Sequence, residues 1–180
     1  QRQMCIRDRC FDGQNFFDTD HPMAGGTYSN IVGDIATDKG EPWFLIDESQ
    51  VLKPILYQKR RAFNFQALDD LSSEHTFKNN EFLYGVDGRC NVGFGFWQTA
   101  CGSRAPLTVA NYEAAVKVLQ GMKRDSGSPL GIRPTTLVVG PNNRAAAKKI
   151  IDAMLVDGGN SNIYYKDVEI VDSPFITTPA

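Results

Sequence analysis

Between Glu81 and Ala100 the chain reads EFLYGVDGRCNVGFGFWQTA, interleaving ring side chains with Gly85, Gly88, Gly93 and Gly95. This stretch constrains the fold most. It reads as extended, with Val92, Phe94 and Phe96 on one face at period two and the glycines admitting close approach of another backbone. Trp43 and Phe44 form a second aromatic concentration. Part of this load belongs to a core. The rest exceeds what a modest domain buries, and aromatics together with arginine are what protein interfaces favour. Trp43, Phe82, Tyr84, Phe94, Phe96 and Trp97 are therefore the candidate core or subunit-interface anchors.

The last 75 or so residues alternate regularly. A helix begins after Pro106, with Thr108 as N-cap and Leu107 placed to staple against Tyr112. Val109, Tyr112, Val116, Leu119 and Met122 recur at helical spacing, Lys123 and Arg124 suit its C-terminal end, and Gly127 and Pro129 stop it. Ile132 to Val139 is a β-branched run that predicts a buried strand. Gly140-Pro141-Asn142 turns into a second helix whose apolar face is Ala147, Ile150, Ile151, Met154 and Leu155, with Asn142 or Asn143 as its cap. A loop at 157–162 leads to a closing strand, Tyr164 to Val171. Helix, strand, helix, strand predicts an α/β unit over 105–180 that follows a β-rich region over 11–104, so the fold class is α+β.

Within the β-rich region, residues 11–42 read as loop or extended arm. Trp43 to Ile46 is an apolar strand, and Leu52 to Tyr57 is a second one that Pro54 confines to a sheet edge. Phe63 and Phe65 alternate with polar positions as in a strand, and 69–80 is polar and turn-like. Residues 1–10 (QRQMCIRDRC) lack any period and any signal-peptide apolar core, and read as a non-native leader of read-through type, set aside from the fold.

Charge and motif content argue against most chemistry. The 180 residues carry 19 basic and 21 acidic side chains, a formal net charge of −2, so no long-range field gathers nucleic acid or anionic lipid. No apolar run approaches the ~20 residues that span a bilayer. The Gly140–Asn143 turn lacks the lysine and glycine spacing of a phosphate loop, and Gly93-Phe94-Gly95 lacks a third glycine and a following helix. Asp18-Thr19-Asp20-His21 offers metal-ligand types without partners at a defensible spacing. Cys90 and Cys101 lie in no nucleophile motif and read as buried or half-buried thiols in a reducing compartment. Lys59-Arg60-Arg61 reads as a solvated face. No catalytic, cofactor or metal residue is assigned; the competing reading is a small α/β phosphate-binding or hydrolytic domain using the Gly140–Asn143 turn.

Six segments, in order, resemble the major head subunit of Mu-like phages and prophages: PWFLID from Pro42, LKPILYQ from Leu52, EFLYGV from Glu81, NVGFGFWQ from Asn91, LTVANY from Leu107, and PLGIRP from Pro129 followed by Leu137-Val138-Val139. The resemblance spans about Phe16 to Val171; the leader departs from it, and Asn160-Ser161-Asn162 lacks an expected proline. It implies the major capsid fold of tailed phages and herpesviruses, with 105–180 as an axial-type domain, 11–104 as peripheral strands and part of an extended loop, and an N-terminally truncated chain. It also implies a structural role without catalysis or cofactor: hexamers and pentamers of copies of itself closing an icosahedral shell around DNA held without sequence-specific contact. Further implied partners are the phage scaffold, protease, portal and decoration proteins, and no membrane. The implied location is the virion capsid, after assembly in the bacterial host cytoplasm.

Overall fold

The computed structural model describes residues 10–23, 26–34, 36–70, 74–79, 81–124, 126–156 and 158–177. The segment set aside as a leader lies outside them except for Cys10, which is buried. The elements are β1 (His21–Met23), β2 (Gly26–Tyr28), β3 (Ile31–Val32), β4 (Trp43–Ile46), β5 (Ile55–Leu68), α1 (Glu74–Asn79), β6 (Leu83–Phe94), β7 (Ala100–Ser103), α2 (Val109–Gln120), β8 (Thr136–Val139), α3 (Arg144–Ile151) and β9 (Glu169–Asp172). They form two compact units, Ile55–Gly93 and the remainder.

The larger unit is built on a five-stranded sheet of order β3-β7-β4-β8-β9. Its middle strand β4 runs antiparallel to β7 on one side and to β8 on the other, while β3 and β9 lie parallel to their neighbours. A strand in that position is buried on both faces, which explains the unbroken apolar run Trp43-Phe44-Leu45-Ile46. β8, α3 and β9 make a strand–helix–strand crossover, and α2 packs on β3 and β7. The core joins Trp43, Leu45, Trp97, Cys101, Tyr112, Leu119, Leu137, Val139 and Ile151, all essentially sealed from solvent. The sequence division at residue 104 therefore falls inside this sheet. β4 and β7, from the β-rich half, sit beside β8 and β9 from the α/β half, because backbone pairing joins strands remote in sequence. The segment that forms a unit of its own is 55–93.

α2 starts where the sequence predicts: the Thr108 hydroxyl accepts from the Asn111 amide at 3.3 Å, and Tyr112, Ala115 and Leu119 face the core. It ends earlier than expected, at Gly121, and Val109 at its first position is exposed. The second helix is capped differently from the expectation. Neither Asn142 nor Asn143 caps its own helix through its side chain. Instead the buried Glu41 reaches over: its carboxylate accepts from the Asn143 amide at 3.0 Å and from Asn142 Nδ2 at 3.1 Å, and Asn143 Nδ2 donates to the Glu41 carbonyl at 2.9 Å. A carboxylate at a helix N-terminus also meets the positive end of the helix dipole. Met154 and Leu155 lie past the end of α3 and are exposed, so its buried face is Ala147, Ile150 and Ile151. The predicted strands are shorter than their apolar runs: Pro134 delays β8 to Thr136, and turns occupy 163–168 before β9. The polar stretch 69–80 contains the short helix α1 where a turn was expected.

At the other end of β4, Asp47 is fully buried. Its carboxylate accepts from the Ser49 amide (2.8 Å) and hydroxyl (2.6 Å), Gln50 Nε2 (3.2 Å) and the Arg133 amide (3.1 Å). Burial by itself raises this carboxyl, but the hydrogen bonds from Ser49, Arg133 and Gln50 outweigh it and hold the group below the ordinary carboxylate range. A folded-state value depressed below the unfolded one, about 3.9, contributes stability that is complete above that value and disappears as pH falls through the folded value. Asp47→Asn is therefore expected to cost roughly 1–3 kcal/mol near neutrality. The gap between variant and wild type should stay constant above about pH 5 and close below about pH 4, as read by urea melts across pH. A gap independent of pH down to the acid transition would contradict it.

Candidate assembly surface

The ribbon Ile55–Gly93 is a two-stranded sheet of β5 and β6 whose cross-strand pairs, Phe65 stacked on Tyr84 and Arg61 bonded to Asp87, mark an antiparallel arrangement. Strands of 14 and 12 residues are twice the usual length. Phe63 and Phe65 alternate with Asn64 and Gln66, yet the apolar positions of the ribbon are not covered: Phe63 is 72% exposed, Phe65 64% and Tyr84 62%, with Ile55, Tyr57, Phe82, Leu83 and Val86 also open to solvent. Monomeric soluble proteins rarely leave apolar surface so contiguous, and such patches mark sites of association. A two-stranded ribbon is also marginal alone in water, so an external surface is the natural source of its missing burial.

The six predicted anchors divide between buried and exposed positions. Trp43 and Trp97 are fully buried; Trp43 Nε1 donates to the Ala105 carbonyl at 2.8 Å. Phe94 is half-buried against the core and stacks on Phe16 with ring centroids 4.7 Å apart. Phe82 and Tyr84 stand on the exposed ribbon. Phe96 departs from the expected face: β6 ends at Phe94, so Phe96 leaves the period-two alternation and lies partly exposed, edge-on to Phe11 at 6.3 Å. Of the glycines expected to admit close backbone approach, Gly95 does so, for a Cβ there would strike the Lys53 carbonyl. Gly88 instead leaves room for the Phe63 ring, and Gly85 and Gly93 face open space. Phe63 and Phe65 were read as strand residues and not as anchors. The available signal was the length of their strand, since no core of this size covers fourteen consecutive positions.

The sites considered for chemistry are turned to structural use. At the Gly140–Asn143 turn the Glu41 carboxylate already takes the helix N-terminus, so an incoming phosphate meets a negative charge. His21 is buried, its Nδ1 2.8 Å from Asp12 Oδ2 and its ring stacked on Trp97 at 3.9 Å, while Asp18 bonds outward to Asn15 and its own neighbour Thr19. Among the described residues no three potential ligands converge. Burial pushes the Cys101 thiol up to about 12 and, with Asp12 adding to it, the Cys10 thiol up to about 11, far from reactive thiolates. Cys90 is exposed on the ribbon, against the expectation of a buried or half-buried thiol. Among the described residues no helix is long and apolar enough to cross a membrane.

The division of anchors has a direct test. Trp97→Ala should cost roughly 3–5 kcal/mol of unfolding free energy, the usual toll of an aromatic removed from a core. Tyr84→Ala or Phe65→Ala should change it by no more than about 0.5 kcal/mol, as at exposed positions. Chemical denaturation read by far-UV circular dichroism distinguishes them, and equal costs would mean the roles are misassigned.

Comparison with known proteins places this geometry. The sequence profile of the family described as Mu-like prophage major head subunit gpT matches residues 3–176. The chain is 40% identical over 158 residues to the Mu-like prophage FluMu major head subunit of Haemophilus influenzae, covering 83% of this chain and 51% of that protein. It is 34% identical over 161 residues to the major capsid protein of Escherichia phage Mu, covering 86% and 53%. The chain thus spans about half the length of the curated relatives it matches. Among solved structures, the bacteriophage JBD30 procapsid superposes with a TM-score of 0.79 at 38% identity, over 93% of this chain and 59% of that one. The JBD30 capsid superposes at 0.83 with 20% identity, over 96% and 59%, a likeness of fold alone. A JBD30 capsid decorated with minor capsid protein trimers superposes at 0.75 with 23% identity, over 96% and 58%, again a likeness of fold.

Proposed function

Because the chain belongs to the family of Mu-like prophage major head subunits and carries the tailed-phage capsid fold, we propose that it is a structural, non-catalytic part of a phage head. Copies of it assemble into hexamers and pentamers of an icosahedral shell. The observation that carries this reading is the uncovered ribbon, 55–93, whose apolar side chains are exposed along both strands. The ribbon acts as the extended loop of the capsid fold and lies against a neighbouring copy. The sheet unit supplies the axial-type domain with α2, β8, α3 and β9, and β4 and β7 bind it to the peripheral strands. Phe82 and Tyr84 serve as interface anchors, while Trp43 and Trp97 serve the core.

Near-neutral charge suits this role, since subunits must approach one another many times without long-range repulsion, and DNA is enclosed without a base-reading surface. Scaffold, protease, portal and decoration proteins are the further partners such a head requires, and decoration by minor capsid protein trimers occurs in the JBD30 capsid. The site of action is the virion capsid, reached from the host cytoplasm. The phosphate-binding alternative receives no support from the carboxylate seated on its turn.

Sedimentation velocity and negative-stain electron microscopy test the reading. The chain is expected to form capsomer-sized or larger assemblies, and Phe63→Ser with Phe65→Ser should shift it at least about tenfold toward monomer, a change worth about 1.4 kcal/mol, without altering its fold. Wild-type chain that stays monomeric, or a double variant that assembles equally well, would count against the reading.

A further inference from the structure

His21 is sealed from solvent, and its Nδ1 lies 2.8 Å from Oδ2 of Asp12, a carboxylate whose side chain is 5% exposed. Its ring lies flat on Trp97, with centroids 3.9 Å apart and planes 8° from parallel. The second ring nitrogen, Nε2, is buried without a hydrogen-bond partner. Buried polar atoms left in that state are few in native proteins.

The pair ties together a strap, residues 10–23, that is laid over the sheet unit. Between the two residues Phe16 stacks on Phe94 and Phe17 on Phe44. The buried Asn30 side chain accepts from the Asp18 amide at 2.9 Å and donates to the Phe16 carbonyl at 2.7 Å. Asp12 also accepts from the Gln14 amide at 3.0 Å through its other oxygen.

Among the described residues, His21 is the one side chain able to carry a positive charge that is bonded to Asp12. The other titratable groups around the ring supply no counter-charge. Cys10 lies beside Asp12, and its thiol, pushed up to about 11, is uncharged. Tyr28 stands opposite His21 in the β1–β2 register. On the strap itself Asp18 bonds to Asn15 and Thr19, and Asp20 is exposed. The turn Trp97–Thr99 has no titratable side chain. The ring therefore decides the charge of this interior. With the ring protonated, the pair is neutral overall. With the ring neutral, Asp12 is left as a net buried charge, which is costly. Nε2 lacks a partner in either form, so it does not discriminate between them.

We propose that the His21–Asp12 pair is a pH-responsive latch on the strap 10–23, firm while the ring is charged and loosened as pH rises through the imidazole range, about pH 5 to 8. Loosening uncovers the faces of Phe44, Phe94 and Trp97 on which the strap lies. The latch lies wholly within the sheet unit and goes beyond the capsid reading, which stands or falls separately.

Backbone hydrogen exchange of the 180-residue chain, read by mass spectrometry at about pH 5.5 and about pH 8 and corrected for intrinsic rates, tests the latch. Protection of peptides within 10–23 is expected to fall at least about threefold from the lower pH to the higher, while peptides over β4 and β8 keep theirs. His21→Gln should lower the protection of the strap at the lower pH and flatten its dependence. Asp12→Asn should reverse the dependence, because charging the ring then buries an unpaired cation. Strap protection that does not change with pH, or a dependence that survives in His21→Gln, overturns the proposal. Should either variant fail to fold, the wild-type profile of the strap against β4 and β8 decides by itself.

Discussion

The sheet unit depends on one strand being fixed at both ends by buried carboxylates. β4 spans only Trp43 to Ile46, yet it lies between two antiparallel neighbours and joins β7, from the β-rich half of the chain, to β8, from the α/β half. Immediately before it Glu41 bonds to the start of α3, and immediately after it Asp47 bonds to the Arg133 amide ahead of β8. Each acid satisfies backbone donors that would otherwise be orphaned, and such groups are costly to bury unpaired. The strand, its two neighbours and the start of one helix are thereby placed as a block, and the apolar core closes around them.

What the sequence made legible was local. Thr108 and the β-branched run Ile132 to Val139 are signals written within a few residues of the element they shape; the helix started where Thr108 put it, and the strand occupied the last four residues of its run. The Glu41 contact was illegible because its partners lie about a hundred residues away, and a glutamate before a strand looks the same whether or not a helix end waits for it. The division at residue 104 cuts across the five-stranded sheet for a similar reason, since nothing in β4 or β7 states which strands will pair beside them. The aromatic surplus was visible, but alternation alone says which side chains share a face and never whether anything covers that face. Hence Trp97 and Tyr84, thirteen positions apart in one aromatic stretch, ended in opposite environments.

The two units also differ in how they reach stability. The sheet unit has layered helices and a continuous core, and its polar groups are largely bonded within it, as in the Tyr112 hydroxyl donating to Asp167 at 2.8 Å and Tyr164 donating to Glu113. The ribbon relies on backbone pairing between two strands and on a few cross-strand contacts such as Phe65 on Tyr84. Exposed strand edges with apolar faces invite indiscriminate pairing. The charges at Lys59, Arg60 and Arg61, together with Pro54 at the foot of β5, are the usual means of restricting that pairing to chosen partners.

Burying both tryptophans of the chain has an optical consequence. Indole emission from this protein comes wholly from inside the sheet unit, with the His21 ring lying flat on Trp97, so its wavelength follows the opening of that interior. The ribbon holds only tyrosines, Tyr57 and Tyr84, as its phenolic chromophores. Indole emission thus reports on the sheet unit alone and carries no signal from a chromophore of the ribbon.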